Sequence, residues 1–90
     1  FMAECELTIP NEEGLHARPA AKFVKLAGQF ESDIWVEKDD EEINGKSIMG
    51  LMMLAASQGS VIKVIAEGDD AAEAITKITE LVESGFEIEL

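Results

Sequence analysis

The chain has 90 residues, 47% of them hydrophobic, which suits one small domain spanning 1–90 with a single core and leaves no room for a separate nucleotide-binding lobe. Its 19 acidic against 7 basic residues give a formal charge of -12, which argues against nucleic acid or an anionic membrane surface as a partner and favours proteins with basic docking surfaces. One cysteine cannot form an internal disulfide, and the absence of a secretory signal or a membrane-length apolar run makes the cytoplasm the expected location. Phe1 ahead of Met2 is read as an addition before the natural start.

Residues 4–9 alternate, with Cys5, Leu7 and Ile9 on one face and Glu4, Glu6 and Thr8 on the other, the period of a half-buried strand. Cys5 is read there as a small core residue. Over 17–27 the apolar set Ala20, Phe23, Val24 and Ala27 follows helical spacing. Alternation returns over 33–38, pointing Ile34 and Val36 one way and Trp35 and Glu37 the other. The run Asp39-Asp40-Glu41-Glu42 reads as a solvated turn, followed by a short strand around Ile43.

Ser47 is a favoured cap for a second helix expected to reach about Ala56. Gln58-Gly59 then turns the chain into a strand over 60–66 with Ile62, Val64 and Ala66 on its inner face. A last helix has Asp70 as cap with Glu73 three residues on, close to a capping box. Its stripe is Ala74, Ile75, Ile78, Leu81 and Val82, and Gly85 is a natural stop. The order β-α-β-β-α-β-α suits an α+β fold, a four-stranded antiparallel sheet with three helices on one face.

Two segments carry chemistry. In Gly14-Leu15-His16-Ala17-Arg18-Pro19-Ala20-Ala21 the proline fits a first helical turn, so the only histidine falls near the N-cap. The free N–H groups of that turn and the positive end of the helix dipole favour an anion, and Arg18 adds a planar charged fork. A neutral imidazole there is a nucleophile beside an anion cradle. The octapeptide taken alone is equally compatible with His16 as a tolerated cap and Arg18 as a solvated surface residue. Asn44-Gly45-Lys46-Ser47-Ile48-Met49-Gly50-Leu51 follows, opening a helix with apolar residues on every face. A short surface helix needs only one buried stripe, so some of these side chains must be exposed.

The pair resembles the active-site and regulatory-serine motifs of the HPr family, the histidine phosphocarriers of the bacterial phosphoenolpyruvate-dependent phosphotransferase system. The likeness continues through Gln58-Gly59-Ser60 and Ala66-Glu67-Gly68, in family order and at family spacing, over nearly the whole chain. It implies an open-faced β-sandwich with strand order 1-4-2-3, placing Trp35 and Ile65 on the solvent side. It further implies that Nδ1 of His16 takes a phosphoryl group from enzyme I and yields it to an enzyme IIA domain. Arg18 and the N–H groups of Ala17 and Arg18 would hold that group. Ile48, Met49 and Met52 would face the partners, while Leu51, Leu54 and Ala55 turn inward. Ser47 would be the target of an HPr kinase/phosphatase.

With no Walker-type phosphate loop, kinase signature or metal-ligand spacing, the chain is expected to be a monomeric carrier and substrate without cofactor or metal, not an enzyme. Within the family, Leu51-Met52-Met53-Leu54 and Glu83-Ser84-Gly85-Phe86 leave the nitrogen-related regulatory branch open beside sugar uptake. Catabolite-repression paralogues unable to carry phosphohistidine are disfavoured, since His16 is present. A small acylphosphatase-like hydrolase lacks its Val-Gln-Gly-Val-x-Phe-Arg loop here. A ligand-responsive binding domain in which His16 is incidental is the remaining reading.

Overall fold

The computed structural model describes all 90 residues, in the order β1 (Met2–Thr8), α1 (Ala17–Ala27), β2 (Asp33–Lys38), β3 (Glu41–Asn44), α2 (Ile48–Met53), β4 (Val61–Glu67) and α3 (Ala71–Glu83). The strands form one antiparallel sheet in the order β1-β4-β2-β3. β1 and β2 both flank β4, so the chain must cross over between them through α1; β3 and β4 likewise flank β2 and are joined through α2. α3 packs over β1 and β4, and α1 lies against α2 and α3. Inward residues of the strands, Leu7, Ile34, Val36, Ile62, Val64 and Ala66, meet Phe23, Leu51, Ile78 and Leu81 of the helices in one core. On the outer face Trp35 pairs with Ile65 and both are half-exposed, as the alternation predicts. No helix is long and apolar enough to cross a membrane.

Three local expectations need correction. Glu41 and Glu42 are not in the turn but in β3, because Lys38 pairs directly with Glu41 and leaves a loop of Asp39 and Asp40 alone. Both aspartates have positive φ, 50° and 69°, the pattern of a two-residue hairpin turn whose twist matches that of the strands. α2 stops at Met53 instead of running to Ala56, and Ala55, at φ 52°, is exposed rather than turned inward. A left-handed residue cannot continue the helix.

The third correction concerns Asp70. It is the N-cap of α3 but makes no side-chain cap bond, so the capping box with Glu73 does not form. Its carboxylate instead accepts the backbone N–H groups of Glu31 and Ser32, at 2.9 and 3.0 Å, and the hydroxyl of buried Ser32. The side chain thus ties the start of α3 to the entry of β2. At the other end of α3, Gly85 (φ 74°) lets Phe86 N–H reach the carbonyl of Leu81 at 3.0 Å while Gly85 N–H bonds Val82 at 2.9 Å. Phe86 is buried behind this stop, a pattern that satisfies the last carbonyls of a helix.

Donation by the Ser32 hydroxyl and by the Glu31 and Ser32 amides holds the Asp70 carboxyl below its ordinary 3.8. A carboxylate with a depressed folded value contributes stability above its unfolded value and loses it as pH falls through the folded one. Asp70→Asn should therefore be less stable than the parent at neutral pH, and the gap should close as pH drops below about 4. Urea melts at a series of pH values measure this. Ala55→Gly should raise stability by about 0.5–1 kcal/mol, since relief of left-handed strain exceeds the entropy that glycine adds to the unfolded chain. The same melts test it at a single pH.

Candidate functional site

His16 is the N-cap of α1 with extended backbone angles, φ -75° and ψ -175°, and its carbonyl accepts the first helical bond from Ala20 N–H at 2.9 Å. Its imidazole makes no capping bond and is exposed. The N–H groups of Ala17 and Arg18 have no acceptor, and Pro19 has no N–H to satisfy. No acidic side chain occupies the first turn. An exposed imidazole is therefore set beside two unpaired amide donors at the positive end of an eleven-residue helix.

The loop before His16 is held from two sides. Asn11 donates its side-chain amide to the carbonyl of Gly14 at 2.9 Å and to the Glu13 carboxylate at 3.2 Å. Gly14, at φ 65°, lies directly on the loop after α2: a Cβ there would overlap the Ala56 carbonyl oxygen and stand 2.9 Å from the Ser57 Cα. Leu15 N–H then bonds the same Ala56 carbonyl at 2.9 Å, and Leu15 is buried. This contact places His16 over a hollow of about 410 Å³ lined by Glu13, Leu15, Ala17, Met52, Ala55, Ala56 and Ser57. Arg18 turns into a separate, smaller hollow of about 60 Å³ with Glu13, Lys22, Gly85, Phe86 and Glu87. His16 and Arg18 share a helical turn without sharing a hollow, and Glu13 borders both.

Ser47 caps α2, accepting the Gly50 N–H on Oγ at 3.0 Å. Lys46 beside it is anchored through Nζ to the Phe30 carbonyl at 2.8 Å. Leu51 and Leu54 are buried, whereas Ile48, Met49 and Met52 are exposed, as the likeness implies. Met53 joins them, a residue the sequence reading left out although it lies four positions after Met49 on the same helical face. Glu13 and Ser57 are also part of the site's surroundings. Glu13 precedes His16 in the same loop, where Asn11 holds its carboxylate, whereas nothing near Ser57 in sequence marks it and the contact between the two loops brings it there.

The family described as the PTS HPr component phosphorylation site matches residues 3–84. Phosphocarrier protein HPr of Neisseria meningitidis serogroup A is 49% identical over 85 residues, 94% of this chain and 96% of that protein. The HPr-like protein Crh of Bacillus subtilis is 45% identical over 82 residues, 91% of this chain and 96% of Crh. The crystal structure of HPr-C-His from Thermoanaerobacter tengcongensis superposes with a TM-score of 0.92 at 56% identity, covering 98% of this chain and 99% of that one. With sequence, fold and strand order in agreement, the chain belongs to the HPr family, the phosphocarrier proteins of the bacterial phosphotransferase system.

Proposed function

We propose that His16 is the phosphoryl acceptor, receiving the group from phosphorylated enzyme I and passing it to a histidine of an enzyme IIA domain. The observation that carries this reading is the exposed imidazole at the N-cap of α1, free of any capping bond and next to the unpaired amides of Ala17 and Arg18. Nδ1 of neutral His16 offers its lone pair to phosphorus as the N–P bond of the donor phosphohistidine breaks and the donor imidazole keeps the electron pair. In the return step His16 is the leaving group. The amides and the helix dipole stabilise charge on the phosphoryl oxygens, and Arg18 swings from its own hollow to complete the cradle. The chain contributes positioning and charge, and the partners contribute the rest of the machinery, so it is a carrier and not a catalyst.

α2 supplies the docking surface. Met52 lines the hollow under His16, Ile48 and Met49 share its exposed helical face, and flexible thioethers can repack against more than one partner. Ser47 lies at the base of that patch, so a phosphate added by an HPr kinase would be covered whenever a partner docks. Its desolvation would weaken association, which makes Ser47 the regulatory position in this reading.

Incubation with phosphoenolpyruvate and enzyme I should add one phosphoryl group that is lost in mild acid and kept in base. Intact mass before and after acid reads this out. His16→Ala should take up none, and Arg18→Ala should accept about 10- to 100-fold more slowly, the scale of a lost bond to a charged group. An acid-stable adduct, or labelling of His16→Ala, would overturn the assignment.

Met49→Glu and Ser47→Asp should each raise the KM for transfer from enzyme I with little change in kcat. Thermal melts should show both folded, with Ser47→Ala about 1 kcal/mol less stable than the parent for want of its cap. Unchanged KM in both variants would remove α2 from the docking surface.

A further inference from the structure

The chain has four methionines, and none of them belongs to the 22-residue buried core. Met2 is 58% exposed, Met49 73%, Met52 44% and Met53 74%. Methionine ordinarily fills cores, so a full complement of thioethers in contact with solvent calls for a reason. Three of them sit on α2 at positions that share one helical face with Ile48, and Met52 lines the hollow under His16. Leu51 and Leu54, on the opposite face, fasten the helix to the core. Leucine would give an equally apolar outer face; what methionine adds there, besides adaptability, is an oxidisable sulfur.

We propose that Met49, Met52 and Met53 form an oxidation-sensitive patch, whose conversion to sulfoxides by a peroxide-class oxidant disconnects the carrier from its phosphotransfer partners while leaving it folded. The inference rests on the docking role of α2 stated above. The thioether sulfur gives a lone pair to one peroxide oxygen, the O–O bond breaks, and the other oxygen leaves as water or an alcohol. Sulfur is thereby oxidised by two electrons and the peroxide reduced by two. Each product is a polar, chiral S=O in place of an apolar thioether. On the free protein the sulfoxide oxygens are hydrated at no cost to folding, because the side chains are already outside the core. In a complex they must lose that water against an apolar partner surface, and the patch next to His16 stops docking. Thiol-dependent methionine sulfoxide reductases reverse the change, returning the oxygen as water as two thiols become a disulfide.

Cys5 is the one oxidisable sulfur besides the four methionines, half-buried with Sγ 3.6 Å from the Thr79 hydroxyl, so the test uses the Cys5→Ser protein. Hydrogen peroxide treatment, followed by intact mass and peptide mapping, defines the oxygens added. Phosphoryl acceptance from enzyme I should then fall by about tenfold or more, the factor expected if one sulfoxide oxygen is buried without a hydrogen bond. The thermal midpoint should stay within a few degrees, and a mixture of the two reductase types should restore the rate. Met49→Leu/Met52→Leu/Met53→Leu in the same background, read against its own untreated rate, should lose nothing on peroxide treatment, while Met2→Leu should remain sensitive. Oxidised protein that accepts phosphate at the untreated rate, loss of rate that tracks unfolding, or a triple variant that is equally inactivated would overturn the proposal. Failure of the untreated protein to accept any phosphate would instead overturn the carrier reading, and this inference with it.

Discussion

The bond from Leu15 N–H to the Ala56 carbonyl, with Gly14 pressed against the same peptide, is the contact on which the site depends. His16 belongs to the end of the β1–α1 loop, and the methionine face, Met49 to Met53, belongs to α2, far along the chain but close in space. α1 and α2 pack on each other, and the loop contact fixes the start of α1 against the end of α2. Where the two loops touch, the imidazole stands over the hollow that Met52 lines, and glycine is required at the touching point because any side chain would overlap the carbonyl. Asn11 completes the arrangement by holding the Gly14 carbonyl, so the peptide group joining Gly14 and Leu15 is bonded through both its C=O and its N–H.

In the carrier reading, α2 reconciles two opposed demands within six residues. A docking face must be apolar and exposed, while a helix this short has little stability of its own and must be held by tertiary contacts. Leu51 and Leu54 supply the inner grip, Ser47 satisfies one of the first-turn N–H groups, and Lys46 is tied to the Phe30 carbonyl just before the helix begins. With the helix held on one side and capped at its start, the outer side is free to carry large apolar residues that folding does not use. At the far end, Ala55 takes up a left-handed conformation on the rim of the His16 hollow, so the exit from α2 is strained where the loop turns down to meet Gly14.

The sequence was most readable where one local rule governs. Alternation marked β1, β2 and β4, and β2 and α1 fall on the residues that their periodicity indicates. The Ser47 cap and the Gly85 stop follow from residue chemistry that acts within a few positions. What could not be read depends on tertiary partners. Asp70 and Glu73 have the spacing of a capping box, but Ser32 and Glu31 offer the carboxylate three donors from across the fold, which outweigh the one or two available on its own helix. Ala55 has no local feature announcing a positive φ, and the helical pattern runs on through it. His16 and Arg18 were legible as a pair of chemically suited groups; their separation into two hollows was not, because Arg18 responds to the α3 stop at Gly85 and Phe86, far along the chain.

That separation bears on how a carrier avoids wasting its cargo. An open hollow beside an exposed histidine does not exclude water, so the chain by itself offers no dry environment in which a phosphoryl group would be strongly activated. The two unpaired amides stabilise an anion without supplying a proton or a base, and the groups bordering the hollow besides His16 are apolar side chains, Ser57 and the carboxylate of Glu13. A carboxylate that borders both hollows would repel phosphoryl oxygens and attract the guanidinium, keeping Arg18 away from the imidazole until the anion arrives. In the carrier reading, full activation then waits for a partner to cover the methionine face, remove water from the hollow and add its own charges. On that reading transfer is coupled to docking because the site is left chemically unfinished in the free protein, and that would be the physical content of being a carrier and not a catalyst.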